Sequence, residues 1–298
     1  DGSFVHIPPT YSIITNIDRE HMDFYNSIDD LKKYFIQFIE KVPSFGKSFI
    51  CIDDKINNDI VKKLKNQNFY TYGSNPNSNF LIKNVRQNTK FSEFDLNVNL
   101  PNKKRLSLKK IKVPLLGIHN IRNSVAAAAV ALTVGISIKN IKKGLVNFKG
   151  VQRRFNKIFS YNNIDIYDDY AHHPTEIKAV LEACRNNFKN KKIIAIFQPH
   201  RFSRMKILYS QFIKSFCNAN QVLICPVYSA GEKNKKFSLK KFCKDVISHS
   251  KVEVIQIDNK NQIEIYLKKN LLGNEIVIAM GAGSISGWIR DISSRLKI

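Results

Sequence analysis

The second half of this 298-residue chain alternates between short β-branched apolar runs and amphipathic segments, and this alternation constrains the fold more than any other feature. The apolar runs predict strands at residues 164–167, 193–197, 221–225, 252–257 and 275–280. The segments between them predict helices at residues 176–187, 204–216, 239–248 and 261–269. Such alternation is typical of an open, mostly parallel sheet wrapped by helices, in which ligands bind beyond the carboxyl ends of the strands.

The first half has a different pattern. It predicts strands at 11–17 and 48–52, helices at 29–38 and 59–65, and then a β-rich flank of small antiparallel strands over 69–108. An Ala-rich helix is predicted at 123–134, and a shorter one at 138–147 ends close to Gly150. We therefore expect an α/β fold with two domains. Residues 1–149 form a parallel sheet with a β-rich flank, and residues 150–298 form a Rossmann-like domain.

The chain is strongly basic, with 48 Lys and Arg against 24 Asp and Glu and a formal net charge of +24. Alone, this charge would favour a polyanionic partner. The lysines are spread along the whole chain, however, and the sequence shows no basic patch interleaved with stacking aromatics, so we expect no nucleic-acid partner. The longest apolar stretch, residues 124–138, is shorter than the ~20 residues of a membrane helix, so no membrane insertion is expected.

The five cysteines are scattered and form no C-x-x-C pair. This spacing argues against a disulfide framework or a zinc site and is consistent with a reducing cytoplasm.

Two short runs imitate nucleotide-binding loops. The run GKS at 46–48 resembles the end of a phosphate-binding loop, but Lys41 stands where that pattern needs glycine, and here a helix precedes and a strand follows. The run GAG at 281–283 follows a strand, yet Ser286 stands where a dinucleotide fingerprint needs its third glycine. A close-packed turn between strand and helix is the simpler interpretation of the second run.

Polar side chains crowd two predicted strand ends. The run DDYAHHPTE at 168–176 places two carboxylates, a phenol and two imidazoles where such a fold binds ligands. The run QPHRFSR at 198–204 follows the next strand. Arg201 and Arg204 are three residues apart, so at the start of a helix both can face one carboxylate or phosphate.

Three further segments allow a functional and a plain interpretation. His21, just past the first strand, suits a cation or phosphate site, or is a lone surface histidine. Asn123 is a good helix N-cap, or pairs with Asn120 to recognise an adenine edge. The pair Arg153 and Arg154 suits phosphate oxygens, or is a solvated basic pair.

Together, these segments resemble the Mur ligase family over essentially the whole chain, from DGSF at 1–4 through TNI at 15–17, HN at 119–120 and RRF at 153–155 to DDYAHHPTE at 168–176. The runs QPHRFSR and YSAGE (228–232) resemble the family's alanine-adding branch. The resemblance implies a UDP-sugar domain, a central ATPase domain and a C-terminal domain for the amino acid. It also implies ATP and Mg²⁺ as cofactors, and UDP-N-acetylmuramate and L-alanine as substrates. ATP would phosphorylate the lactyl carboxylate, and alanine would attack the acyl phosphate during cell-wall synthesis.

The resemblance also implies roles for individual residues. These are Mg²⁺ ligation by His21; adenine-side contacts by His119, Asn120 and Asn123; a phosphate clamp by Arg154; ribose and nucleotide contacts by Asp169 and Tyr170; a place near the reacting carboxyl group for His173 or, equally, His172; and binding of the alanine and muramoyl carboxylates by His200, Arg201 and Arg204.

The chain also departs from the family pattern. A phosphate-loop lysine, an acidic Mg²⁺ ligand and a UDP-sugar domain are all expected upstream of Asp1. We therefore expect residues 1–298 alone to be inactive, because phosphoryl transfer depends on that cradle. The alternative is a non-catalytic remnant or nucleotide-binding module of a decayed ligase gene.

Overall fold

The computed structural model describes residues 2–20, 22, 24–66, 68–101, 105–233 and 236–296. Its contacts divide the chain into two compact units, Asp1–Phe148 and Lys149–Ile298. The sequence places the boundary at Gly150. Both units are built on α/β sheets in which parallel pairing dominates, which confirms the predicted fold class.

Unit 1 contains one six-stranded sheet in the order β1-β2-β3-β4-β5-β6. Its first four strands pair in parallel, and the last three form an antiparallel meander. The strands are β1 (Tyr11–Ile14), β2 (Lys47–Cys51), β3 (Phe69–Gly73), β4 (Phe80–Gln87), β5 (Ser92–Val98) and β6 (Leu106–Val113). The expected antiparallel flank is therefore present, but β3 belongs to the parallel part because it pairs in parallel with both neighbours.

The helices of unit 1 cover this sheet. They are α1 (Ile28–Glu40), α2 (Lys55–Val61), α3 (Ile118–Thr133) and α4 (Ile138–Val146), and a short 3-10 turn at Ser3–His6 precedes β1. Ser27 is the N-cap of α1, and its hydroxyl accepts from the backbone N–H of Asp30. The buried face of α3 combines alanines with Ile121 and Val125, and it packs on the sheet core.

Unit 2 also contains a six-stranded sheet, in the order β11-β10-β9-β12-β8-β7. Every pair is parallel except the edge strand β7, which runs antiparallel to β8. The strands are β7 (Asn156–Tyr161), β8 (Ile164–Asp169), β9 (Lys192–Phe197), β10 (Gln221–Ile224), β11 (Glu253–Gln256) and β12 (Glu275–Met280). The sheet order brings the carboxyl ends of β8, β12 and β9 together at one edge.

Helices cover both faces of the unit 2 sheet. They are α5 (Pro174–Asn187), α6 (Phe202–Ile207), α7 (Tyr209–Phe212), α8 (Leu239–Ser250), α9 (Lys260–Asn270) and α10 (Ile285–Arg295). One sheet face packs against α9 and α10 through Ile194 and Ile196. Phe197 points the other way and meets Phe212 and Phe216. The four central strands, β8, β9, β10 and β12, are therefore buried on both sides, which explains why they appear as continuous apolar runs.

The structure corrects three predicted elements and adds one. The helix expected at 59–65 is α2 and begins at Lys55, because the Asp54 carboxylate caps it through the N–H of Asn57. The helix expected at 204–216 is two short helices with Leu208 between them. The Ala-rich helix begins at Ile118 instead of residue 123. Strand β7 had no counterpart among the predicted elements.

Candidate functional site

The carboxyl edge of the unit 1 sheet is tied together by buried polar side chains. Asn57 donates through Nδ2 to the carbonyl oxygens of Cys51 (3.0 Å) and Thr15 (3.3 Å), which joins the ends of β1 and β2. The Asp53 carboxylate accepts from the backbone N–H groups of Ser74 and Asn75 at 2.8 and 2.9 Å, which joins the ends of β2 and β3. This edge is therefore a fixed platform beneath the first turns of α3.

The α3 helix starts in a way that the sequence did not predict. Gly117, at φ 93°, is its N-cap, and the Gly117 carbonyl accepts from the N–H groups of Asn120 and Ile121. Asn123 lies inside the helix, so it is not the cap. Glycine suits this position because positive φ is strained for other residues.

The three residues expected on the adenine side lie on the first two turns of α3. Successive helical residues are about 100° apart, so His119, Asn120 and Asn123 project within about a 100° arc. Asn123 is exposed, His119 and Asn120 are half-buried, and Asn120 Nδ2 donates to the Leu116 carbonyl at 2.7 Å. The helix thus presents an amide and an imidazole on one face, which suits hydrogen bonding to a planar base.

The residues that the structure describes do not form a Mg²⁺ site. The predicted ligand, His21, lies outside the described residues, and within them no three His, Cys, Asp or Glu side chains group in a metal-binding arrangement. A hard cation needs several oxygen ligands. The described side chains therefore do not fit this ion on their own.

The GKS run at 46–48 is a tight turn into β2. A Cβ added to Gly46 would lie 1.9 Å from the Thr10 carbonyl oxygen, and Lys47 donates through Nζ to Asn68 at 2.6 Å. Helix α1 precedes the run and β2 follows it, which is the reverse of a phosphate loop. This geometry supports the rejection of the motif.

In unit 2, the Asp169 carboxylate at the end of β8 holds the turn at residues 153–155, which contains Arg153 and Arg154. One oxygen accepts from the N–H of Ala171 and the other from the N–H of Phe155, both at 2.7 Å. Asp169 is 3% exposed, and burial raises its pKa even though the two N–H groups act in the opposite direction. The side chain predicted to contact ribose therefore has both of its oxygens engaged by the backbone.

The turn itself places one arginine against the fold and leaves the other in solvent. Arg153 donates to the Gly281 carbonyl at 2.7 Å, and its guanidinium lies 4.7 Å from the Tyr170 ring centroid. Arg154 is 55% exposed, 5.7 Å from the same centroid and 3.6 Å from a Glu176 oxygen. Arg154 is thus available to an anion, as its predicted phosphate role requires.

The two adjacent histidines, which the sequence leaves as equal candidates, occupy different environments. His173 is 3% exposed and is the N-cap of α5, where its Nδ1 accepts from the N–H of Thr175. Glu176 completes the capping box by accepting from the N–H groups of His172 and His173. The His172 ring is half-buried and lies 5.1 Å from the ring of Tyr170. Of the two imidazoles, that of His172 is the more accessible.

His200, just past β9, is neutral at physiological pH. The Arg204 guanidinium donates to its Nδ1 at 3.1 Å, and since guanidinium only donates, that nitrogen carries no proton. Burial and the neighbouring positive charge of Arg204 lower the pKa of His200 to about 4. Because the His200 imidazole is neutral, the positive charge around it is carried by Arg201 and Arg204.

Arg201 and Arg204, which the three-residue spacing places near each other, contact different side chains. Arg201, at φ 67°, is the N-cap of α6, and its Nε lies 3.0 Å from Glu232 Oε1. Glu232 also accepts from the N–H and hydroxyl of Ser203, at 3.0 and 2.6 Å. Arg204 turns instead toward His200.

Four rings form a continuous line across the strand ends, and we call this line the aromatic row. Neighbouring ring centroids are 5.1, 5.9 and 5.5 Å apart, and the last pair is stacked. The members in order are Tyr170, His172, His200 and Tyr228. Arg153 and Arg154 flank one end, and Arg204 contacts the row at His200. Such a surface can bind an anionic ligand and pack against its uncharged parts.

The GAG run at 281–283 packs closely against Gln198 and against Tyr228 of the aromatic row. A Cβ on Gly281 would lie 2.8 Å from the Gln198 carbonyl oxygen, and one on Gly283 would lie 2.6 Å from both Gln198 Oε1 and Tyr228 Cγ. Gln198 is buried and accepts from the N–H of Ile285. These contacts favour the close-packed turn over a nucleotide-binding loop.

Several residues that contact the site were not assigned a role from their local sequence. Tyr228 and Glu232 were marked only by resemblance, and Asp53 lies just after the predicted strand at 48–52. The signal for Asp53 was an acidic pair directly after a buried strand. No local signal indicates that Glu232 meets residues 201 and 203.

Comparison with known proteins agrees with the resemblance to the Mur ligase family. The model of the Mur ligase middle domain matches residues 2–131, and that of the Mur ligase, glutamate ligase domain matches residues 153–283. The chain belongs to the Mur ligase family.

Its curated relatives have more specific names. The chain is 59% identical over 293 residues to the UDP-N-acetylmuramate–L-alanine ligase of Pelagibacter ubique, covering 98% of this chain and 63% of that protein. It is 40% identical over 306 residues to the enzyme of the same name from Rickettsia rickettsii, covering 100% of this chain and 62% of that protein. The chain thus spans a little over three fifths of the length of these relatives.

Solved structures share the fold. A UDP-N-acetylmuramate–alanine ligase from Thermotoga maritima superposes with a TM-score of 0.76 at 24% identity, over 99% of this chain and 61% of the other. A MurF ligase from Thermotoga maritima in complex with ADP gives 0.72 at 14% identity, over 97% and 62%. Across the described residues, no helix is both long and apolar enough to cross a membrane.

Proposed function

We propose that this chain is part of an enzyme that joins L-alanine to UDP-N-acetylmuramate at the expense of ATP, through an acyl phosphate, in the cytoplasm. The observation that carries the proposal is the 59% identity to the Pelagibacter ubique ligase over 98% of the chain. The structure of a MurF ligase with ADP supports a nucleotide substrate for the fold. Mg²⁺ would neutralise phosphate charge, and the proposal assigns its binding to His21 and to residues outside this chain.

The chemistry asks the protein to hold two anions and to leave an amine free to attack. A carboxylate becomes a good electrophile only when its oxygen is phosphorylated, and phosphoryl transfer depends on positioning and charge neutralisation. In the proposed roles, Arg154 clamps phosphate, and Arg204 and Arg201 attract substrate carboxylates. Tyr170 packs against the nucleotide.

The aromatic row supports this assignment of unit 2. Because His200 is neutral and accepts from Arg204, this contact helps to hold that guanidinium in one orientation. Arg201 lies 3.0 Å from Glu232 and Arg204 lies beside His200, and the proposal keeps both arginines as carboxylate ligands. For the reacting carboxyl group we propose His172, with the buried His173 fixing the start of α5.

Unit 1 supplies the nucleotide side of the proposal. The exposed Asn123 amide and the neighbouring His119 and Asn120 can read both donors and acceptors on an adenine edge. The carboxyl edge beneath them is the position at which open parallel sheets bind ligands.

The proposal is tested by rebuilding a full-length ligase. A chimera would join this chain to the part of the Pelagibacter ubique ligase that it does not match, and ADP release would be followed with UDP-N-acetylmuramate and L-alanine. We expect turnover that requires both substrates, and no turnover from residues 1–298 alone. A correctly folded chimera without turnover would favour the remnant hypothesis, and turnover from the 298 residues alone would refute the predicted inactivity.

A further inference from the structure

Asp53 connects three elements at the carboxyl edge of unit 1. Its Oδ1 accepts from the N–H groups of Ser74 and Asn75 at 2.8 and 2.9 Å, and its Oδ2 accepts from Arg122 Nε at 2.7 Å. The Asp53 side chain is 8% exposed, whereas that of Arg122 is 34% exposed. One carboxylate thus joins the end of β2, the turn after β3 and the second turn of α3.

The close approach of this carboxylate depends on Gly73. That residue has φ 140°, a conformation that other residues rarely adopt, and a Cβ there would lie 2.5 Å from Asp53 Oδ1. The Asp53 carboxylate can therefore approach the end of β3 because residue 73 has no side chain.

The ion pair between Asp53 and Arg122 is not needed to hold α3 on the sheet. Ile121, Val125 and Ala129 already bury the inner face of α3 against the sheet. A mostly buried carboxylate loses hydration, so an ion pair of this kind contributes little net stability compared with apolar packing. The ion pair instead orients α3, because Arg122 is adjacent to Asn123 and one turn from His119. Holding the Arg122 guanidinium fixes the rotation of the helix about its own axis.

We propose that Asp53 is a positioning residue for nucleotide recognition. Through Arg122 it sets the rotation of α3, and thereby the angle at which Asn120 and Asn123 meet the base. This inference rests on the proposed function, since it assigns adenine contacts to α3. It predicts that Asp53 governs the choice between adenine and guanine, a property that a purely stabilising residue would leave unchanged.

The test measures base preference directly on the 298-residue protein. Saturation-transfer NMR with adenosine 5′-monophosphate or guanosine 5′-monophosphate gives an apparent affinity for each nucleotide without requiring turnover. Asp53→Asn keeps the shape and an acceptor but removes the charge that holds Arg122. We expect the ratio of adenine to guanine affinity to fall by about fivefold, since loss of alignment weakens the hydrogen bonds that distinguish the bases.

Asp95→Asn is the matched control. Asp95 is also a hydrogen-bonded carboxylate of unit 1, but it accepts from Asn84, Lys109 and Lys110, which lie on β4 and β6. The control should retain the base preference. If Asp53→Asn does not fold, Arg122→Gln removes the same link from its more exposed side.

The outcomes separate the two proposals. A clear adenine preference that survives in a folded Asp53→Asn or Arg122→Gln variant would overturn the positioning role alone. No adenine preference in the unaltered protein would overturn this inference together with the adenine contacts of the proposed function. A fall in preference that Asp95→Asn reproduces would also refute it.

Discussion

Gly283 lies where the turn after β12 meets the aromatic row, and replacing it by alanine tests how tightly that corner is packed. The added Cβ would lie 2.6 Å from Gln198 Oε1 and from Tyr228 Cγ, whereas ordinary contacts are 3.4–4 Å. Gln198 cannot easily yield, because it accepts from the N–H of Ile285 at 3.0 Å and donates to Ser284 at 3.0 Å. Either the turn or the Tyr228 ring must therefore move by about 1 Å.

The magnitude follows from two opposing effects. Overpacking of this kind costs about 2–3 kcal/mol. Alanine recovers roughly 0.5–1 kcal/mol by restricting the unfolded chain. The net expectation is that Gly283→Ala lowers the free energy of unfolding by about 2 kcal/mol, or the Tm by about 5 °C for a unit of this size.

Gly287→Ala provides the opposite control in the same unit. Gly287 lies inside α10, is exposed, and a Cβ there meets nothing within 4 Å. Alanine is the better helix former, so this variant should gain about 0.5–1 kcal/mol.

Unfolding of unit 2 can be followed separately in the 298-residue protein. The chain has one tryptophan, Trp288, and it lies in α10, so its fluorescence during urea unfolding reports on this unit. The reasoning fails if Gly283→Ala unfolds at the same urea concentration as the unaltered protein, or if both glycine variants shift the midpoint in the same direction.

Two further predictions concern the corner formed by His200 and Arg204. The pKa of His200 is lowered from 6.5 to about 4 in the folded protein, so the unfolded chain binds the extra proton first as pH falls. Stability should decrease from pH 6.5 to pH 4 by about 1 kcal/mol after allowance for solvent screening, and His200→Gln should remove that part of the pH dependence of the urea midpoint. In the full-length chimera, Arg204→Ala should raise the KM for L-alanine or UDP-N-acetylmuramate by about tenfold or more, as loss of a charged hydrogen bond implies. Unchanged KM values for both substrates would contradict the assignment.

The central strands of unit 2 were predictable because each is buried on both faces and therefore appears as a short apolar run, whereas the more exposed edge strand β7 was missed. The prediction for 275–280 coincides with β12, and that for 193–197 differs from β9 by one residue. Helix starts were less predictable, because caps depend on backbone geometry. At α3 the asparagine at 123 resembled a cap, whereas the real cap, Gly117, uses only its carbonyl and its positive φ.

The candidate site was predictable up to the point at which it needed the order of the strands. Residues that directly follow a strand, such as Tyr170 and His200, could be placed at one edge from the sequence. Tyr228 and Glu232 follow β10, and their contacts with the segment after β9 depend on β9 and β10 being neighbours. Sequence periodicity does not contain that information, and it also does not distinguish His172 from His173.

Asp53, Asn57, Asp169 and Gln198, the buried side chains that fix the strand ends, bind mainly to backbone N–H and C=O groups. Those groups are present whatever side chain occupies a position, and only proline lacks the donor. Substitutions of exposed side chains therefore leave the backbone partners of these buried side chains in place. The high net charge and the strand-end architecture are compatible, because the charge is spread along the chain whereas a few buried side chains hold the strand ends through the backbone.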